Sequence, residues 1–285
     1  MLKLDKIDYM KGYIKRLKDP LWFITIVALA LGVLFSHLII PKPYVGLIKI
    51  YGPIESTNYL DDINRMLRYA EDNKSIRAVV LEIDSPGGSA FACEEIFMEV
   101  IKLRNEKPVV ACVDGGGLSG AYYIATASNY IFAKPASFIG SIGVVAVLPE
   151  PTELDENLIV TGPFKRAISR KEFIYEVETI KEVFLSNVIK QREEKLKIGR
   201  EELSMANSYV GVDALKVGLV DEIGSREDAI EKAAHYARIS NYDVIDINKE
   251  LNIGSLRFHL HVNETVLKPT NTIPSVHFLY IEQGE

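Results

Sequence analysis

Residues 21–40 read LWFITIVALALGVLFSHLII, an apolar block with no formal charge. Twenty helical residues at 1.5 Å rise reach about 30 Å, the thickness of a bilayer hydrocarbon core. The block has no polar face, which a buried amphipathic helix would show. It is too long for a cleavable leader and leaves through Ile-Ile-Pro-Lys-Pro rather than a small-residue cleavage site. It predicts one transmembrane helix, with Trp22 at the interface.

After Pro43 the pattern changes to apolar runs alternating with helical periodicity. Residues 45–51 read as a strand. Ser56 or Thr57 caps a helix to about residue 72, with Leu60, Ile63 and Leu67 on one face. Residues 77–84 (RAVVLEID) form a second strand ending in Ser-Pro-Gly-Gly. A helix over 90–105 follows, then a strand over 109–113 ending in Gly115-Gly116-Gly117. Another helix is expected from 119 to about 128, with short strands at 130–133 and 143–147. Near-continuous apolar strands separated by helices predict α/β layers around a mostly parallel sheet, whose sites form at the carboxyl ends of strands.

Beyond residue 170 the pattern is helical: a long helix over 172–196, a short one over 201–206, turn-helix-strand over 210–223, and a helix over 226–238. The segment 239–285 differs. Leu256, Phe258, Leu260 and Val262 alternate with polar residues, the period of a half-exposed strand. The pattern divides the chain into a basic stub (1–20), an anchor (21–40), a folded domain (45–238) and a C-terminal extension (239–285), expected to serve oligomer packing.

Charge refines this picture. Residues 1–20 hold six basic against three acidic residues, residues 21–40 none, and the whole chain carries −6. The positive-inside rule places the N-terminus in the cytoplasm and the domain outside the membrane. Residues 41–285 therefore sum to −9, and no basic stripe relieves it, which argues against nucleic acid as a partner. Cys93 and Cys112 sit in apolar surroundings and read as buried small hydrophobes. No Cys/His cluster suggests a metal, and no cofactor is expected.

The candidate chemistry lies in Val113–Tyr123, VDGGGLSGAYY, with Ser119 at the turn. Its surroundings resemble a nucleophile elbow with alanine in place of the second glycine. A serine beside glycines is otherwise a common helix cap. The five histidines are at positions 37, 235, 259, 261 and 277, all outside residues 45–234. A lysine is therefore the leading base for a nucleophilic serine. Lys134, Lys165 and Lys171 all stand open on residue type alone. The N–H of Gly120, with one from the Ser85-Pro86-Gly87-Gly88 turn, can face a developing oxyanion.

Four ordered motifs carry a resemblance: IDSPGGS (83–89), GGGLSGAYYIATAS (115–128), IFAKPASFIGSIGVV (131–145) and YVGVDALKVGLVDEIG (209–224). Together they resemble the signal peptide peptidase A family of serine–lysine peptidases, which has a crotonase/Clp-protease-like core. The resemblance spans about 45–234, and the apolar anchor agrees with it. It implies Ser119 as nucleophile, Lys165 as general base in Gly162-Pro163-Phe164-Lys165, and Ser141 as the serine that orients that lysine. It further implies an oxyanion hole from Gly87 or Gly88 with Gly120. Two positions depart from the family pattern: Ala121 replaces its second glycine, and Arg166 stands where an acidic residue is more common.

The expected function is a membrane-anchored serine endopeptidase cutting apolar peptides such as released signal peptides, working as a homo-oligomeric ring. A catalytically silent membrane scaffold and a crotonase-fold acyl-CoA enzyme are the alternatives.

Overall fold

A computed structural model describes the backbone of residues 20–39, 41–148, 161, 169–254 and 276–279. Side chains are described for 21–32, 41–148, 161 and 169–254. The chain forms two units, residues 1–42 and 43–285.

In the first unit, α1 (Pro20–Ile39) takes up the apolar block as a 20-residue helix. Its described side chains, 21–32, are all exposed. That stretch covers only about 18 Å of helix rise. Among the described residues no helix is long and apolar enough to cross a membrane.

The second unit is built on a sheet of β1 (Tyr44–Tyr51), β2 (Ile76–Ser85), β4 (Val109–Leu118), β5 (Tyr130–Ala133), β6 (Phe138–Gly140), β8 (Ser208–Val210), β9 (Glu222–Ile223) and β10 (Asp243–Asp246). Its order is β10-β1-β2-β4-β5-β9, with β6 beside β4 and β8 beside β6. Every pairing in it is parallel except β6 with β8.

The strand pleat sorts side chains between two cores. On one face, Ile48 and Ile50 of β1, Val79, Leu81 and Ile83 of β2, and Ala111 and Val113 of β4 meet three helices. These are α2 (Thr57–Asp72), α3 (Ala90–Glu106) and α4 (Gly120–Thr126). On the other face, Val45, Leu47, Ala78, Val80, Val110 and Cys112 meet Ala229, Ala233 and Ala234 of α8 (Arg226–Tyr236). Burial on both faces explains why these strands read as unbroken apolar runs. Glu82 shares the α8 face and pairs with Arg226 at 3.3 Å, a buried carboxylate that sits where the period puts it.

Local rules set the helix starts. Ser56 accepts from the Tyr59 N–H. Ser169 with Glu172, and Ser225 with Asp228, form reciprocal capping boxes on α5 (Arg170–Arg192) and α8. Two further short helices follow α5, α6 (Arg200–Leu203) and α7 (Gly211–Val217). The packed body continues past residue 238. β10 pairs with β1, and α9 (Ile247–Glu250) buries Ile247 while the Asn248 Oδ1 accepts from the Lys49 N–H.

A second, three-stranded sheet begins a single intervening residue beyond the end of β2. β3 (Gly87–Ser89) and β7 (Val145–Ala146) flank β11 (Val276–Leu279) in antiparallel pairing. The alternating segment 256–263 lies outside the described residues.

Candidate active site

The site is assembled where β4 changes partners. Its first half, from Val110 to Val113, pairs with β5; Gly116–Leu118 pair with β6. Between them the β2–β4 register slips, Ile83 facing Val113 but Ser85 facing Gly117. The slack is taken by Asp114, Gly115 and Gly116, a bulge of the kind that bends a strand and re-aims its end. The Asp84 Oδ1 accepts from the Gly116 N–H at 2.8 Å and holds the detour in place. A methyl group on Gly115 would run into that carboxylate, so the glycine is needed for the approach.

Ser119 comes next. Its φ of 52° and ψ of −123° put a non-glycine residue in a strained region. The strain is imposed from both sides. The Ser119 N–H donates to the Gly140 carbonyl at 2.7 Å, and the Ser119 carbonyl accepts from the Tyr123 N–H at 3.0 Å. The helix begins at Gly120, one residue later than its sequence pattern suggests, and Ser119 makes no side-chain cap bond. Its Oγ is buried and has no hydrogen-bond partner among the described residues. A buried hydroxyl without a partner forfeits about 1–3 kcal/mol, so it is not there as a cap.

α4 is a rigid support, buried along its whole length. The Tyr122 hydroxyl donates to the Leu219 carbonyl at 2.8 Å, and the Asn187 Nδ2 donates to the Tyr123 hydroxyl at 2.6 Å. Tyr123 also stacks on Phe97 with ring centroids 4.2 Å apart. Burial pushes both tyrosine hydroxyls up, Tyr123 to about 12, so they stay neutral. These side chains are packing.

The Ser-Pro-Gly-Gly turn arrives from the other side. β3 packs against α4 and is fixed to Ile54: the Ile54 N–H donates to the Gly87 carbonyl at 2.9 Å, and the Ser89 N–H to the Ile54 carbonyl at 2.8 Å. A side chain at Gly88 would strike the Ile54 backbone. The Gly87 N–H donates to the Ser85 Oγ at 3.1 Å. Ser141 directly follows the Gly140 that accepts from Ser119; it is buried, and its own N–H donates to the Asn207 carbonyl at 2.9 Å. Ser119, Gly120, Gly87, Gly88 and Ser141 are thus brought to one end of the sheet by β2, β4 and β6.

The three candidate lysines part ways. Lys165 lies outside the described residues. Lys134 is half exposed and ion-paired with Asp114; the hydrogen bond to that carboxylate raises its pKa, the wrong direction for a base. Lys171 lies exposed on the first turn of α5. Asp84 escapes sequence reasoning. A carboxylate ending one strand opposite a glycine triplet ending another is the pattern that would have flagged it. Among the described residues no His, Cys, Asp and Glu cluster could hold a metal ion.

In comparison with known proteins, the family model for peptidase family S49 matches residues 101–240, and that for Clp protease matches residues 45–139. A Methanocaldococcus jannaschii protein named as a protease is 34% identical over 211 residues, covering 69% of this chain and 66% of that protein. Protease 4 of Haemophilus influenzae is 35% identical over 192 residues, covering 61% of this chain and 30% of that protein. The chain thus spans about two thirds of the first relative and under a third of the second. Among solved structures, a serine-to-alanine variant of the 1510-N membrane-bound stomatin-specific protease aligns with a TM-score of 0.50 at 19% identity. It covers 73% of this chain and 98% of that one, a likeness of fold.

Proposed function

The chain belongs to peptidase family S49, and from that premise we propose that it is a serine endopeptidase working through Ser119 and Lys165. The observation that carries the reading is the Ser119 hydroxyl: strained, buried, and without a partner among the described residues. A hydroxyl held in that state at the carboxyl end of a parallel strand is disposed for attack rather than for capping.

In the proposed reaction a neutral Lys165 takes the Ser119 proton as Oγ bonds to the scissile carbonyl carbon. Charge develops on the carbonyl oxygen, opposite the Gly120 N–H and an N–H of β3. With the Gly87 N–H engaged by Ser85, Gly88 is the better donor there. The ammonium of Lys165 then protonates the leaving amine as the peptide bond breaks. Neutral Lys165 then takes a proton from water as the water oxygen attacks the acyl-enzyme, and gives that proton to the Ser119 Oγ as the ester bond breaks, which releases the acid product and restores both groups. Ser141 is assigned to orient the Lys165 amine. The base requires a lysine pKa lowered from about 10.4 towards 7, roughly 4–5 kcal/mol against the ammonium form.

The substrate class is apolar peptides, including signal peptides released at a bilayer. Residues 21–40 would anchor the domain on the outer side of the cytoplasmic membrane. A homo-oligomeric ring is part of the reading, and Phe91 and Met98, both exposed on α3, offer apolar surface for it. Treatment with a fluorophosphonate, followed by peptide mapping, tests the nucleophile. Adduct on Ser119 supports the reading; a protein that stays unlabelled, or carries label elsewhere, contradicts it.

A further inference from the structure

A cavity of about 90 Å³ lies at the start of α3. Ala90 and Glu94 of α3 line one side, and Ile180, Val183 and Phe184 of α5 line the other. Tyr123 of α4 completes it, fixed by its stack on Phe97 and by Phe184 with ring centroids 4.8 Å apart. Two short links tie this cavity to the candidate nucleophile. Ala90 directly follows Ser89, the last residue of β3, and the Tyr123 N–H donates to the Ser119 carbonyl at 3.0 Å. An extended peptide laid along β3 for attack by Ser119 turns alternate side chains to either face, and the cavity adjoins that edge.

The lining is apolar apart from three polar side chains, and two of these are engaged. The Asn187 Nδ2 donates to the Tyr123 hydroxyl at 2.6 Å, and the Thr179 Oγ1 donates to the Tyr175 carbonyl at 2.8 Å. The third, Glu94, is exposed and has no hydrogen bond or ion pair among the described residues. Its neighbours on α3 differ: the Glu95 Oε1 accepts from the Asn64 Nδ2 at 2.8 Å, and Glu99 pairs with Lys102 at 3.9 Å. We propose that Glu94 makes this cavity a specificity pocket for a lysine or arginine side chain of the peptide substrate. This rests on the reading of Ser119 and β3 as a peptidase site. Lysine and arginine lay an apolar stem along apolar surface and keep the charged head at the wet end, which is the order of groups here, apolar walls and an exposed carboxylate. Signal peptides carry a basic region ahead of their apolar core, so the pocket would set the register of such a substrate, with its cation at Glu94 and its apolar stretch along the slot.

The test uses the full chain in detergent and an apolar fluorogenic peptide in which one lysine is moved along the sequence, each beside its norleucine twin, which keeps the stem and lacks the charge. At one position the lysine peptide should exceed its twin in kcat/KM by about three- to fivefold, the size expected of a partly exposed ion pair, and the ratio should shrink as salt is raised. Glu94→Gln should bring that ratio to about one. Glu94→Lys should invert it and favour glutamate over glutamine at the same position, a gain that misfolding cannot produce. No position with a lysine preference, or a preference that Glu94→Gln leaves intact, overturns the proposal. Glu94 shares its helix face with Phe91 and Met98, so oligomer mass is measured alongside; a variant that alters the mass and not the ratio assigns the carboxylate to subunit contact and overturns the pocket. Binding of the labelled twins to Ser119→Ala, read by fluorescence anisotropy, separates the two readings. Tighter binding of the lysine peptide that depends on Glu94 supports the pocket even where the parent cuts nothing, an outcome in which the peptidase reading fails instead. Cleavage without that dependence removes the pocket and keeps the peptidase.

Discussion

The backbone N–H of Ser119 donates to the carbonyl of Gly140 across 2.7 Å, joining the turn after β4 to the end of β6. That bond fixes the hydroxyl-bearing residue against the strand that leads directly into Ser141. It also explains how a serine is kept at φ 52°: the turn is held by neighbours on both sides, and the cost of about 1–3 kcal/mol is offset by packing around α4.

The Asp84 carboxylate should act as a positioning group through Gly116. Asp84→Ala removes the acceptor and should lower kcat about tenfold or more with KM little changed, since a bond to a charged acceptor contributes about 1.5–3 kcal/mol. Asp84→Asn keeps an Oδ1 acceptor and should restore most of the rate. Equal losses in both variants, tracking a fall in melting temperature, would reduce Asp84 to a structural role.

Arg192 and Asp221 form a buried bidentate pair at 3.0 Å, and the same guanidinium donates twice to the Gly218 carbonyl. Burial alone would raise the Asp221 pKa; the hydrogen bonds and charge of Arg192, aided by Lys195, outweigh it and hold the carboxyl below its usual range. A depressed folded pKa adds stability that is present above the unfolded value of about 3.9 and lost as pH falls through the folded one. Arg192→Ala should cost about 3–5 kcal/mol, because it strands a buried charge. Chemical denaturation between pH 7 and pH 3 should show the wild-type advantage shrinking at the acid end.

Two groups near the site should prove dispensable. Lys134 is held protonated by Asp114, and His277 arrives on β11 rather than on the peptidase core. Lys134→Ala and His277→Ala should each keep peptidase activity within a few-fold of wild type. Loss of activity in either would reassign the base.

The apolar helix should behave as an anchor. The full chain should fractionate with membranes and resist alkaline carbonate, a variant lacking residues 1–42 should be released, and the detergent-solubilised chain should sediment above its monomer mass. Extraction of the full chain by carbonate would refute a spanning segment.

Much of the fold was legible because β1, β2, β4 and β5 are buried on both faces and so read as apolar runs, while α2 carries a one-sided stripe behind Ser56. β6, β8 and β10 were not. Phe138–Gly140 and Asp243–Asp246 are short and lack alternation, so their strand character comes from the partners they meet. At the site, the glycine turns and Ser119 stood out in the chain, whereas the roles assigned to Ser141 and Lys165 came through family resemblance alone. Asp84 needed the β2–β4 register, a non-local quantity. The alternating segment 256–263 drew attention within the tail, but the strand that pairs beside Gly88 is Val276–Leu279, too short and irregular to carry a period.

The most direct test of the central claim is cleavage of a panel of apolar fluorogenic peptides by the full chain in detergent, beside Ser119→Ala and Lys165→Ala. Loss of activity in each variant by about 10³-fold or more, with melting temperature and oligomer mass unchanged, is the predicted result. Cleavage that survives either substitution would contradict the dyad, and a correctly assembled parent that cuts nothing from pH 5 to 10 would contradict the peptidase itself.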